Sequence, residues 1–178
     1  MVRARMTALR GRAGLALLPA LLWPLSGCGP QATQPQAGAA APAFPVERLD
    51  GSHAVFPEDY RGRVVALRFW ADWCPFCKDE MQAIETVYQR QREAGLVVLA
   101  MNVGQSAEVA KRFSRGLGLS YEVALDPDAE VSARYGVAGL PLTYFIDRQG
   151  KVRNKILGEA SAESFERISA ALLEEAAP

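Results

Sequence analysis

Val64-Val65-Ala66-Leu67-Arg68-Phe69-Trp70, followed at once by Ala71-Asp72-Trp73-Cys74-Pro75-Phe76-Cys77, is the stretch from which the rest of the chain can be read. Its first seven residues form a nearly continuous apolar run. Such a run fits a strand buried on both faces, as in a sheet covered by helices on each side. A helix is expected to follow from about Pro75 to Glu93, with Gly95 ending it. Met81, Ile84, Val87 and Tyr88 recur along it at helical spacing and are expected to face the core.

Two cysteines separated by two residues lie where the strand ends and the helix begins. Three residues are just under one helical turn, so both sulfurs meet on one face, a separation that suits a reversible disulfide. Cys74 is expected at or just before the first turn, where unpaired N–H groups and the positive end of the helix dipole favour a thiolate. Its pKa is expected below the free value of about 8.5, at about 6 to 7.5. Cys77, one turn inside, is expected to be less exposed. These placements give the roles: Cys74 attacks a disulfide and Cys77 resolves the mixed disulfide. Pro75 agrees, because proline is tolerated in the first helical turn. Two other uses of the pair fit less well. Half of a metal site would need two more ligands, and the chain has no second Cys pair and no His pair. A purely structural disulfide across two residues is geometrically poor.

Working outward, Leu49-Asp50-Gly51-Ser52 reads as a hairpin turn, with His53 beside it as a solvated turn residue. Leu96 to Val103 reads as a second buried strand. Ser106 can cap a helix to about Arg115, ended by Gly116 and Gly118. Tyr121 to Leu125 is a short strand, and Asp126-Pro127-Asp128 turns into a short helix stopping at Gly136. Leu142 to Ile146 and Val152 to Leu157 are two strands joined by the tight turn Asp147 to Gly150. Ser161 caps a last amphipathic helix to about Glu175. The order predicts an α/β fold: a mixed central sheet flanked by helices on both faces, with an N-terminal hairpin and a central strand–helix insert.

The start of the chain reads as an address. Residues 1–27 hold Arg3, Arg5, Arg10 and Arg12, no acid, and an apolar run from about Ala13 to Leu25 interrupted by Pro19 and Pro24. That is the pattern of a secretory signal, and too short for a comfortable membrane span of about 20 residues. The segment ends Leu25-Ser26-Gly27-Cys28, which resembles a bacterial lipoprotein signal whose Cys is lipidated. Residues 28–43 are rich in Pro, Gln, Ala and Gly and carry no charge, so they read as a flexible tether. Residues 44–178 form the folded domain. Cleavage before Cys28 would leave 178 − 27 = 151 residues, 16 basic and 20 acidic, enough to bury roughly 70% of the unfolded surface.

The whole chain balances 20 Lys and Arg against 20 Asp and Glu, with one His and three Cys. Balanced charge argues against a nucleic-acid binder held by phosphates. One His excludes chemistry that needs two imidazoles. Three Cys are too few for a disulfide framework or a four-thiolate zinc site.

Phe69 to Cys77, with Glu80 after the pair and Gly139-Leu140-Pro141-Leu142-Thr143-Tyr144-Phe145-Ile146-Asp147 later, resembles the thioredoxin superfamily and, within it, the secreted TlpA/ResA-like branch. The resemblance covers about Phe44 to the C-terminus. It implies the thioredoxin fold and an extracytoplasmic thiol–disulfide oxidoreductase, a disulfide reductase that keeps substrate thiols reduced, including haem-attachment cysteines in cytochrome c maturation. It implies substrate proteins as partners and a membrane-embedded thiol reductase as electron donor, since the domain has one redox pair only. Pro141 matches the family's cis proline facing the cysteines, and only proline makes a cis bond cheap. Leu140 would offer backbone hydrogen bonds to a substrate strand, with Trp73, Pro75 and Phe76 contributing to substrate binding. No cofactor beyond the Cys74–Cys77 disulfide and no metal is expected. The protein is expected to be a monomer, lipid-anchored on the periplasmic side of a bacterial membrane. A copper chaperone on this fold would need a wider Cys spacing and a distant His. A non-catalytic binding lipoprotein would not need Cys74, Cys77, Glu80 and Pro141 together.

Two positions depart from the family pattern. Gln82 stands where proline is common, which puts a helix kink in doubt. Arg68 stands where thioredoxins carry a buried acid and secreted relatives often carry Asn. A buried guanidinium needs a carboxylate, and Glu80, three residues beyond Cys77 on the same helix side, is the nearest by sequence geometry. Paired there, Glu80 would be a poorer proton acceptor for Cys77, and Arg68 would tune the cysteines by favouring the Cys77 thiolate. The alternative is that Arg68 snorkels to solvent and leaves Glu80 free as the family's usual acid.

Overall fold

In the computed structural model of the protein, residues 34–175 are described. The proposed signal segment and Cys28 lie outside them.

All seven residues of the apolar run form strand β3 (Val64–Trp70), and all seven are buried. Around it the chain supplies β1 (Phe44–Glu47), β2 (His53–Phe56), α1 (Cys77–Gln91), β4 (Leu96–Val103), α2 (Ala107–Gly116), β5 (Glu122–Asp126), α3 (Glu130–Arg134), β6 (Leu142–Ile146), β7 (Val152–Leu157) and α4 (Ala162–Glu174). The main sheet has the order β5-β4-β3-β6-β7. β3 pairs parallel with β4 and antiparallel with β6. The expected mixed sheet is therefore present, with β3 at its centre.

Alternation along β3 divides the core. Val65, Leu67 and Phe69 pack with Phe44, Phe56, Val131, Tyr135 and Tyr144, under the β1–β2 hairpin and α3. Val64, Ala66 and Trp70 pack with Met81, Ile84 and Val87 of α1, Ala110 of α2 and Phe165 and Leu172 of α4. Helices thus lie on both faces.

The ends of the elements follow capping chemistry. Ser106 accepts a hydrogen bond from Val109 N–H, and Ser161 one from Ser164 N–H at 3.2 Å. Gly95, at φ 109°, ends the turn after α1 in a left-handed conformation that only glycine adopts without cost. The buried Asp126 carboxylate receives Val131 N–H at 3.0 Å and Ser132 N–H at 2.8 Å, closing the first turn of α3.

Three expectations are corrected. α1 begins at Cys77, not Pro75: ahead of it Cys74 O accepts Cys77 N–H at 3.1 Å, a turn that closes over three residues rather than the four of an α-helix. At its other end α1 stops at Gln91 and tightens into a 3-10 turn, Arg92–Ala94. It runs unbroken through Gln82. Third, the domain starts before Phe44. Gly38 N–H donates to Val152 O at 2.7 Å, Val152 N–H donates to Ala39 O at 2.9 Å, and Gln34 Nε2 donates to Gly136 O at 2.9 Å. Composition reads residues 34–43 as tether because they carry few apolar side chains, but backbone groups suffice to dock them along the edge at β7.

Candidate active site

The end of β3 delivers the chain to Ala71, whose carbonyl accepts Cys74 N–H at 3.3 Å. Cys74 and Cys77 form a disulfide with Cα atoms 5.4 Å apart. Cys77 is the first residue of α1 rather than one turn inside it, and Cys74 lies just before that helix, where it was expected. Both cysteines are buried, while Trp73 is 67% and Phe76 52% exposed. Pro75 is exposed as well. The disulfide is therefore framed by an apolar rim open to a partner.

The peptide bond Leu140–Pro141 is cis. Leu140 is half-buried and packs against the cluster that holds both cysteines. Its backbone makes no hydrogen bond among the described residues, whereas Pro141 O accepts Gly158 N–H at 2.8 Å. Leu140 is thus free to bond a passing strand, and Pro141 is not. A second cis bond, Phe56–Pro57, lies in the hairpin region and was not foreseen.

Beneath the cysteines lies the one buried ion pair among the described residues. Arg68 Nη1 donates to Glu80 Oε1 at 2.7 Å, with the two side chains 0% and 1% exposed. The same nitrogen donates to Thr143 Oγ1 at 3.2 Å. Arg68 does not snorkel to solvent. Next to it Trp70 stacks on Phe113, centroids 5.1 Å apart. Tyr121 donates its hydroxyl to Met81 O at 3.2 Å, and burial pushes its phenol well above the ordinary range.

One brace was missed. Gln105 accepts Asp72 N–H at 3.0 Å and Asn102 Nδ2 at 2.9 Å on the same oxygen, and its amide donates to the Asp72 carboxylate. This holds the loop two residues ahead of Cys74. The signal was a polar Asn102 in an otherwise apolar strand; its partners could not be read from sequence.

With this site in view, comparison with known proteins is direct. Residues 37–155 match the AhpC/TSA family. The chain belongs to this family and has its thioredoxin fold. Over 131 residues it is 34% identical to the thiol-disulfide oxidoreductase ResA of Bacillus thuringiensis (strain Al Hakam), covering 74% of this chain and 75% of that one. The ResA of Geobacillus thermodenitrificans (strain NG80-2) is 35% identical over 131 residues, 73% of this chain and 74% of its own. Among solved structures, a putative thiol:disulfide interchange protein DsbE from Chlorobium tepidum superposes with a TM-score of 0.73 at 30% identity, over 79% of this chain and 99% of that one. The protein is a thiol–disulfide oxidoreductase of ResA/DsbE type, with a Cys74–Cys77 pair at disulfide distance and protein thiols as its partners.

Proposed function

We propose that the protein is an extracytoplasmic disulfide reductase in which Cys74 attacks and Cys77 resolves. The observation that carries this reading is a buried disulfide at the N-terminus of α1, rimmed by exposed Trp73, Pro75 and Phe76, with Leu140 of the cis Leu140–Pro141 bond packed against the cluster that holds both cysteines. The Cys74 thiolate attacks one sulfur of a substrate disulfide. A bond forms between Cys74 and that sulfur, and the other substrate sulfur leaves with the electron pair as a thiolate. Cys77 then gives up its proton, which the departed substrate thiolate can take, and attacks Cys74. The Cys74–Cys77 bond forms, and the second substrate sulfur leaves as a thiolate. The substrate gains two electrons and the enzyme is left oxidised, so an external dithiol must restore it. Trp73, Pro75 and Phe76 supply the apolar contact and Leu140 the backbone bonds that hold the substrate strand.

In this reading the leader of residues 1–27 exports the chain across the inner membrane, and lipidated Cys28 keeps it on the periplasmic side of a bacterial membrane. A membrane-embedded thiol reductase supplies the dithiol, and haem-attachment cysteines of c-type cytochromes are among the substrates. No helix among the described residues is long and apolar enough to cross a membrane.

Equilibration with defined thiol–disulfide buffers tests the direction of electron flow. A reductase is expected near the thioredoxin end of the range, about −270 mV; a value near the oxidant end, about −120 mV, would overturn it. Insulin reduction should be lost in Cys74→Ser. Fractionation of Cys28→Ala tests the anchor: release from membranes is expected, and unchanged retention would contradict it. A strain producing only Cys74→Ser should accumulate less c-type cytochrome; normal levels would remove that substrate class.

A further inference from the structure

We propose that Arg68 is a positioning residue for the resolving half-reaction: it holds Glu80 on the helix side that carries Cys77 and supplies the positive charge that favours the Cys77 thiolate. The inference rests on the reading that Cys74 attacks and Cys77 resolves.

Arg68 sits mid-strand in β3, between Ala100 of β4 and Thr143 of β6. Its neighbours on that face, Ala66 and Trp70, belong to the cluster that contains both cysteines. A guanidinium buried there is costly unless its charge is met. Glu80 meets it at 2.7 Å. Through the bond to Thr143, the same nitrogen ties α1 to β6, two residues beyond the cis proline.

An arginine and a carboxylate reach their strongest geometry as a two-bond fork, which uses both carboxylate oxygens. Here a single nitrogen makes both contacts. Among the described residues Arg68 Nε, Arg68 Nη2 and Glu80 Oε2 are buried without a hydrogen-bond partner. The guanidinium thus meets its carboxylate through one nitrogen only, on the helix side that carries Cys77, and its charge acts there on the cysteine as it resolves.

Few other groups compete for this role. Lys78 and Asp79 of α1 are exposed. Tyr121 is engaged with Met81 O and stays neutral. Thr143 does not titrate, and α4 offers the apolar Phe165. Arg68 and Glu80 are the charged groups of this buried layer.

The test follows Cys77 alkylation by iodoacetamide against pH in a Cys74→Ser background, with Arg68→Asn, Arg68→Lys, Glu80→Gln and the Arg68→Asn/Glu80→Gln pair added in turn. Arg68→Asn is expected to raise the midpoint by about one unit or more, and Arg68→Lys to restore most of it. Glu80→Gln is expected to move the midpoint when Arg68 is present and not when it is absent. An unchanged midpoint in Arg68→Asn, or simple additivity, overturns the proposal. Cys74 in a Cys77→Ser background is the control for general distortion: Arg68→Asn should leave its midpoint in place, and an equal shift of both cysteines overturns the positioning role. Should Arg68→Asn fail to fold, Arg68→Lys and the double variant, which buries no unpaired charge, carry the same comparison. If instead Cys77 of the reduced wild type is alkylated before Cys74, the order of attack fails, and that result is distinct from any Arg68 effect.

Discussion

One face of β3 packs Val65, Leu67 and Phe69 into an aromatic core; the other sets Arg68 between Ala66 and Trp70 and under two cysteines. On the first face the aromatic contacts are dense, with Phe44 stacked on Phe56 at 5.0 Å and Tyr135 edge-on to Tyr144 at 5.3 Å. Nothing ionisable from β3 enters that face. The other is just as buried but contains an ion pair with polar atoms left over. The difference teaches where this fold places stability and where it places chemistry. Apolar burial stabilises whichever face it occupies. A buried charge pair is weak evidence for stability, so its retention calls for another reason.

The comparison can be broken at several points. The largest effect expected on activity is from Cys74→Ser, which should abolish disulfide reduction in a standard insulin assay while the protein still unfolds cooperatively. On the aromatic face, Leu67→Ala should cost about 2 to 5 kcal/mol in denaturant unfolding, with the alkylation midpoint of Cys77 unmoved. If that midpoint shifts as much as it does on loss of Arg68, the two faces are not separable. Replacing the ion pair by apolar residues, Arg68→Met with Glu80→Leu, should leave stability unchanged or raise it by about 1 to 4 kcal/mol, yet slow resolution of the mixed disulfide. Unaltered turnover would reduce the pair to packing.

The smallest effect is expected far from both faces, at the C-terminal clasp. Glu175 accepts two bonds from Arg153, at 2.6 and 2.8 Å, and these hold its carboxyl below the ordinary 4.5. A group with a depressed folded pKa contributes its stability above the unfolded value and loses it as pH falls through the folded one. The gap in melting temperature between wild type and Glu175→Gln should therefore be small at neutral pH and close in acid. A gap that widens in acid would contradict this assignment.

Much of this was legible in the residues. Apolar runs located β3, β4 and β6, and turn and cap residues located most element ends, because both signals are local. The Cys pair and Glu80 follow from spacing, and Arg68 is conspicuous as the one charge in an apolar strand. What escaped depends on contacts distant in sequence. Asn102, Gln105 and Asp72 meet only once β3 and β4 are parallel neighbours. The docking of residues 34–43 uses backbone groups that composition does not report. The start of α1 at Cys77 rather than Pro75 reflects a tight turn between Cys74 and Cys77, which the helical spacing of apolar residues does not report.

The central claim is the order of attack, and trapping tests it most directly. Reduced Cys77→Ser, mixed with a disulfide-bonded substrate protein and digested for mass spectrometry, should carry a stable mixed disulfide on Cys74. Cys74→Ser treated alike should carry little on the buried Cys77. Adducts that form on Cys77 in Cys74→Ser as readily as on Cys74 in Cys77→Ser would contradict the account.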